Sequence, residues 1–236
     1  MAGGDFVLGV IMLDTRFPRL PGEVGNPESF PFETRYRRVP SATVARVVSD
    51  RAPPADLTAA FVTAGRELAA EGAQLVVTSC GFLAPLQARL AEALPVPVMT
   101  SSLLLLPQLR ALHGPAATLG VLTFDAGKLG PTQLGGLADG PLALAGLEQG
   151  RELHAAITED RPRIDRAAAE ADARAAARTL GERCPRLAAA VLECTNLSPY
   201  RQVIAEELGC PVYDLVQAVH WHAAAWTLQD RRSGDN

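Results

Sequence analysis

Two cysteines carry the chemistry this sequence offers. Cys80 closes the apolar run Leu75-Val76-Val77-Thr78-Ser79, and Cys194 closes Ala190-Val191-Leu192-Glu193. In both places a helical pattern begins immediately afterwards. A thiol at a helix N-terminus lies beside unpaired N–H groups and the positive end of the helix dipole, so both cysteines are expected to ionise more readily than free ones. The same donors suit a substrate carboxylate. Ser79, Gly81, Thr195 and Asn196 would add hydroxyl, backbone and amide contacts beside the sulfurs. Two such thiols facing one carbon make an acid–base pair. One thiolate removes a proton alpha to a carboxylate, and the opposite thiol delivers one to the other face, with no cofactor. A cysteine hydrolase would need a histidine base, and His113, His154, His220 and His222 do not fall at strand ends.

The spacing of the two cysteines exposes the architecture that must position them. Shifting the first copy by 114 positions (194 − 80) places Leu83 on Leu197, Pro85 on Pro199, Ala91 on Ala205, Glu92 on Glu206, Leu94 on Leu208, Pro97 on Pro211 and Val98 on Val212. With the cysteine, eight of nineteen successive positions are identical, which marks an internal repeat. Earlier in each half, Phe6–Leu13 and Thr118–Phe124 are apolar strands running into Asp14 and Asp125, here 111 positions apart (125 − 14). Each half therefore begins with a strand ending in aspartate and later presents a strand ending in cysteine. Continuous apolar strands alternating with helices predict parallel sheets covered on both faces. Ligands of such sheets bind beyond the carboxyl ends of the strands. The expected fold is α/β, with two pseudo-symmetric lobes, residues 1–115 and 116–228, and a cleft between them holding both cysteines. The last helix, Leu215–Leu228, is expected to cross back onto the first lobe, and residues 229–236 to form a tail.

Between these anchors, Arg16–Pro40 is rich in proline and reads as a long loop, a lid or pocket wall over the end of the first strand. Val39–Val48 is expected as the next short strand, and Asp56–Gly72 as an amphipathic helix capped by Asp56. Leu103–Leu112 is expected as a helix capped by Ser101 or Ser102. A glycine-rich loop through Gly150 and an alanine-rich helix from about Asp160 to Arg183 precede the Cys194 strand.

The 236 residues carry a net charge of −4, with 48% apolar and 20% charged residues. That is ordinary for a globular protein with a large core, and it argues against nucleic acid, which selects basic surfaces. The cluster Arg35-Arg37-Arg38 reads equally as a solvated loop or an anion site. No apolar stretch is long enough for a membrane helix, and the first residues lack the pattern of a signal peptide. Four cysteines without CxxC spacing suggest neither a disulfide framework nor structural zinc, so no metal is expected and a reducing cytoplasm is the expected setting. Cys184 and Cys210 read as structural, and His220 and His222, two apart on a helix, do not form a metal pair. No phosphate-binding or dinucleotide fingerprint is present.

Ser79-Cys80-Gly81 and Glu193-Cys194-Thr195-Asn196, with a first strand ending at Asp14-Thr15, resemble the aspartate/glutamate racemase superfamily, which also holds hydantoin racemases, maleate isomerases and arylmalonate decarboxylases. The resemblance implies two flavodoxin-like lobes, a pyridoxal-independent mechanism and a homodimer. It makes Cys80 and Cys194 the catalytic pair and Asp14, Thr15, Thr123, Thr195 and Asn196 substrate contacts. Glutamate racemases carry Cys-Asn-Thr and Cys-Thr-His at the two sites, where this chain has Cys80-Gly81-Phe82 and Cys194-Thr195-Asn196; Phe82 implies a less polar pocket. Leu13-Asp14, Pro21-Gly22, Pro27, Ser29-Phe30 and Tyr36-Arg37 are similar to the N-terminal segment of the algal-type dimethylsulfoniopropionate lyases of the same superfamily, and Glu193-Cys194-Thr195 fits that branch. In it the same proton abstraction expels a beta sulfonium group, which Tyr36, Phe82 or Trp221 would face. The expected function is a cofactor-independent racemase or epimerase of a small carboxylate. A lyase is the alternative, and a carboxylate-binding protein the non-enzymatic one.

Overall fold

A computed structural model of the chain describes residues 6–233, with side chains through Trp226. Among the described residues eight strands form two four-stranded sheets. The first has the order β2-β1-β3-β4, with β1 Val7–Met12, β2 Glu33–Arg38, β3 Leu75–Thr78 and β4 Val98–Met99. The second has the order β6-β5-β7-β8, with β5 Leu119–Thr123, β6 Leu142–Gly146, β7 Ala189–Leu192 and β8 Val212–Tyr213. Every pairing is parallel. The helices are α1 Val44–Val47, α2 Ala55–Ala70, α3 Gln87–Ala93, α4 Leu106–His113, α5 Pro131–Leu134, α6 Leu153–Thr158, α7 Arg166–Arg183, α8 Arg201–Leu208 and α9 Leu215–Ser233. Among the described residues no helix is long and apolar enough to cross a membrane.

The two repeat offsets reappear as strand register. Ile11 pairs with Thr78 in the first sheet and Leu122 with Leu192 in the second, which are 111 and 114 positions apart (122 − 11 and 192 − 78). One residue further on, the Ser79 N–H donates to Ile11 O at 3.0 Å and the Glu193 N–H to Leu122 O at 2.8 Å. Ser79 and Glu193 are therefore the same position of the fold, each directly before its cysteine.

Period-two alternation sorts β1 between two cores. Ile11 packs with Leu57, Phe61 and Leu68 of α2 in the larger core, which continues through the second lobe. Leu8, Val10 and Met12 point the other way and pack with Phe6, Leu75, Val77 and Leu215, Val219 and Ala223 of α9. The last helix thus lies on the first lobe's sheet. It starts with a reciprocal cap: Asp214 Oδ1 accepts from the Gln217 N–H at 2.8 Å, and Gln217 Oε1 accepts from the Asp214 N–H at 3.1 Å. This is the capping-box arrangement. α9 runs through Ser233, so the expected tail from residue 229 is helical that far, and the remainder lies outside the described residues.

Several expected elements are displaced. The Arg16–Pro40 segment holds a strand, β2, as well as a loop; its Glu33–Arg38 alternation is polar because β2 is an exposed edge. Val39–Val48 is no strand: it turns at Ser41 and ends in the single helical turn α1. The glycine-rich stretch before Gly150 contains β6 and α5. α2 starts after Pro54 rather than Asp56 and stops at Gly72, whose φ of +99° suits glycine. The helix expected from about Asp160 starts later, at Arg166 of α7, because Asp160 turns the chain at φ +52° and Asp165 is the cap. Ser101 caps the 3₁₀ turn Ser102–Leu105 that leads into α4.

Candidate active site

Each cysteine follows its central strand and precedes a 3₁₀ turn, Gly81–Leu86 in one lobe and Thr195–Tyr200 in the other. Pro85 and Pro199 sit at equivalent places inside these turns. A proline lacks the N–H an α-helix needs, so the regular helices α3 and α8 begin only after them. The lobes meet where the thiols lie. The Thr195 hydroxyl donates to Ser79 O at 2.9 Å, and the Ser102 hydroxyl donates to Leu192 O at 2.6 Å.

Cys80 and Cys194 line one cavity between the lobes, together with Leu13, Phe17, Arg19, Val44, Val48, Ser79, Gly81, Phe82, Phe124, Ile157, Glu193, Thr195 and Asn196. The space it leaves for water is about 20 Å³, enough for about one molecule. Its lining combines three phenylalanines with the thiols, a carboxylate, an amide and a guanidinium.

Residues 16–30 form the outer wall. The Arg16 and Phe17 N–H groups and the Arg16 guanidinium all donate to Asp160 of the second lobe, at 2.5, 3.1 and 3.0 Å. Burial opposes ionisation of that carboxyl, but these donors prevail and hold it below the usual carboxylate range. Gly22, at φ +94°, passes over Pro199, and a Cβ there would stand 3.3 Å from Pro199 Cα. The expected wall over the first strand is thus fastened to the opposite lobe.

Arg19 reaches into the cavity from this wall, its side chain only 10% exposed. It pairs with the buried Glu23 at 3.0 Å, donates to Thr15 Oγ1 at 3.1 Å and Asn196 Oδ1 at 3.5 Å, and stacks 4.4 Å above the Phe17 ring. Asn196 in turn directs its amide N–H to Cys194 Sγ at 3.9 Å. Guanidinium, amide and thiol form one chain of contacts. Sequence reasoning missed Arg19, since a lone arginine in a proline-rich segment carries no periodic signal.

Glu193 was also missed as a site residue, although its signal was present: a carboxylate in a strand otherwise apolar on both faces. It is 1% exposed. Its Oε2 accepts from the Thr123 hydroxyl at 2.6 Å, and the Phe124 N–H lowers its pKa from nearby. Its Oε1 has no partner. Burial raises its pKa from 4.5 to about 7, against those two donors. Gly81 lies directly opposite. A Cβ there would stand 2.9 Å from Glu193 Cδ and closer still to its Oε1 and main-chain O.

The expected lowering of the thiol pKa values does not hold in this cavity. Burial pushes Cys80 well up and Cys194 up to about 12, and the Glu193 charge adds to both. The Phe82 N–H and Arg19 act in the opposite direction on Cys80, and Asn196 does so on Cys194, but they are outweighed. Desolvation beats a short 3₁₀ turn's dipole. Cys80 also feels Cys194, so the two sulfurs share one electrostatic environment.

The remaining expected site residues fall in two groups. Thr15 and Thr123 do not line the cavity; they hold Arg19 and Glu193, which do. Asp14 and Tyr36 lie elsewhere. Asp14 accepts from the Ser41 N–H at 3.1 Å and faces Arg38 at 3.8 Å. Tyr36 packs against the core under α9 with an unpartnered hydroxyl, its pKa raised to about 12 by burial and then by Glu23. Trp221 is 67% exposed, away from the cavity. Asp125 caps a turn, accepting from the Gly127 N–H at 3.0 Å and pairing with Lys128. The arginine cluster is ion-paired: Arg35 with Glu33, Arg37 with Glu67 and Glu71, Arg38 with Asp14.

With this geometry in place, known proteins show the same arrangement of chain. No family model matches the sequence. It is 29% identical over 221 residues to a dimethylsulfoniopropionate lyase of Durusdinium sp. clade D, spanning 89% of this chain and 71% of that one. It is 26% identical over 243 residues to dimethylsulfoniopropionate lyase 7 of Emiliania huxleyi (strain CCMP1516), spanning 97% and 69%. Among solved structures, unliganded arylmalonate decarboxylase superposes with a TM-score of 0.61 at 18% identity over 93% of this chain and 92% of that one. Glutamate racemase of Thermus thermophilus in complex with beta-chloro-D-alanine superposes with 0.56 at 21% identity over 95% and 82%. The two-lobe fold is therefore the one shared by the aspartate/glutamate racemases and arylmalonate decarboxylase, and the sequence resemblance is to the dimethylsulfoniopropionate lyases.

Proposed function

We propose, from that shared fold and that sequence resemblance, that the chain is an enzyme that removes a proton alpha to a carboxylate and expels a leaving group from the beta carbon. The proposed substrate class is a small acid of the dimethylsulfoniopropionate type. Arg19 receives the carboxylate, because it is the cation the cavity presents and its fork suits a planar anion. A cysteine thiolate takes the alpha proton. The electron pair of that C–H bond becomes the second bond of the product alkene. The beta C–S bond breaks, and its pair leaves on sulfur as neutral dimethyl sulfide. Acrylate remains on Arg19, and the proton remains on the thiol.

The observation that carries this reading is one cavity lined by both thiols and Arg19 together with the aromatic residues Phe17, Phe82 and Phe124. A soft sulfonium flanked by methyl groups suits aromatic walls. Entry of a permanent positive charge also favours the thiolate that burial otherwise suppresses. The test is headspace detection of dimethyl sulfide from dimethylsulfoniopropionate, with Cys80→Ala and Cys194→Ala in parallel. Release by the wild type and loss in at least one variant is expected; no release from the sulfonium acid removes the lyase reading.

A second reading keeps the same first step and returns the proton to the opposite face, giving a racemase or epimerase. It is favoured by both thiols lining one cavity. It requires solvent deuterium at the alpha carbon of a chiral acid and dependence on both cysteines. A homodimer, proposed from the resemblance, would show as twice the 24.9 kDa chain mass in solution.

A further inference from the structure

The fold performs the same task twice at the position before each cysteine, and comparing the two shows what is surplus. In the first lobe, Ser79 Oγ accepts from the Leu13 N–H at 3.1 Å. In the second, the Glu193 carboxylate accepts from the Thr123 hydroxyl at 2.6 Å and feels the N–H of Phe124, and Phe124 is the equivalent of Leu13 at the 111-residue offset (124 − 13). A serine hydroxyl satisfies the corner in one lobe. The second lobe places a whole carboxylate there, lining the cavity, uses Oε2 for the Thr123 hydroxyl, and leaves Oε1 buried and unpartnered beside Gly81. Neither backbone geometry nor packing calls for that second oxygen.

Nor does any cation of the chain answer it. Among the described residues Glu193 makes no ion pair, while Arg19 is engaged by Glu23, Thr15 and Asn196. A buried carboxylate without a counter-charge is costly to keep, and burial alone lifts this one toward neutrality. The cavity it lines also carries Phe17, Phe82 and Phe124. An unpaired carboxylate in a cavity with aromatic walls is a receptor for a positive charge that carries apolar groups.

We propose that Glu193 is the cation receptor of this site, its free oxygen taking the positive end of a zwitterionic substrate whose carboxylate is held by Arg19. The assignment rests on the reading of the cavity as the substrate site and narrows its ligand to acids with a fixed positive charge near the reacting carbons. Glu193 then sets specificity, and the adjoining thiols do the proton transfer.

The test uses two unreactive probes of equal shape, 3-(trimethylammonio)propanoate and its neutral isostere 4,4-dimethylpentanoate, titrated against the intact chain by calorimetry at pH 8. The wild type should bind the cation at least about tenfold more tightly. Glu193→Gln should bring that ratio close to one, chiefly through weaker cation binding. Glu193→Ser, which copies the first lobe's own residue, should do the same and covers the case in which the glutamine variant folds poorly. Equal binding of both probes by the wild type overturns the assignment, as does a ratio retained in the variants. Dimethyl sulfide release with unchanged selectivity in the variants would discard the receptor and leave the lyase. Selectivity lost on substitution, without any sulfide release, would discard the lyase and leave the receptor.

Discussion

Gly81→Ala adds one methyl group where the lobes press hardest on each other. The new Cβ would stand 2.9 Å from Glu193 Cδ and closer still to Glu193 Oε1 and main-chain O. The side-chain atoms can swing aside; the carbonyl cannot, because the Glu193 N–H is fixed to Leu122 O in the β7 ladder. The 3₁₀ turn bearing Cys80 must therefore shift away from the second lobe. Overpacking of this kind costs about 1–3 kcal/mol. Replacing glycine by alanine also stiffens the unfolded chain, which favours folding by about 0.4–1 kcal/mol. The clash wins, leaving a net loss of about 1–2 kcal/mol, or roughly 2–8 °C in Tm for a chain of this size. Gly136→Ala is the matched control, since nothing lies within 4 Å of its added Cβ; it should be neutral or slightly stabilising. Urea denaturation gives the stabilities, and turnover shows whether moving Cys80 relative to Cys194 matters. A Gly81→Ala protein as stable and active as the wild type would refute the close apposition of the lobes at the thiols.

Three further outcomes follow from the same geometry. Glu193 has a folded-state pKa raised from 4.5 to about 7, so the folded chain holds the extra proton and this residue's contribution to stability falls as pH rises across that interval. The interval corresponds to on the order of 3 kcal/mol, so Glu193→Gln should gain on the wild type between pH 5 and pH 8 in denaturant titrations; a constant difference would contradict the burial argument. The groups around it are Cys80, Cys194, Arg19 and Glu23, and both thiols are pushed above this window. Arg19→Lys keeps a charge beside Glu23 but loses the fork across Thr15 and Asn196, so kcat/KM should fall about 10–100-fold with little change in Tm; unchanged kinetics would remove Arg19 as the carboxylate's partner. Asp214→Ala deletes the cap of α9 and should cost about 1–2 kcal/mol in a thermal melt, with no effect at all showing that the helix needs no cap.

The parts of this molecule legible in the sequence are those dominated by burial on both faces. β1, β3, β5 and β7 read as apolar runs because helices cover both sides of each sheet, and the cysteines at the ends of β3 and β7 followed directly. Two of the four edge strands, β2 and β6, were hidden. β2, Glu33 to Arg38, faces solvent along its edge and spells out charges, and β6 lies within a stretch of leucine, alanine and glycine with no alternation. Both are strands because β1 and β5 offer them a free edge, which is a tertiary fact. The 3₁₀ turns after the cysteines were disguised by a helical pattern that Pro85 and Pro199 interrupt. Arg19 became visible only once residues 16–30 were seen pinned to Asp160, and Glu193 only when its register with Ser79 showed one oxygen too many. The direction of the thiol shifts was misjudged because an N-terminal dipole is readable from sequence order, whereas desolvation by the folded lobes is not.

The account stands on a thiol of the cavity lined by Cys80 and Cys194 taking the alpha proton of a bound acid. Its most direct test is dimethyl sulfide release from dimethylsulfoniopropionate in deuterated water, for the wild type, Cys80→Ser and Cys194→Ser, with circular dichroism confirming the fold of each. The wild type should release the sulfide and at least one serine variant should lose it by 10²-fold or more, roughly the contribution of a positioned acid or base. Sulfide release undiminished in both variants would contradict it.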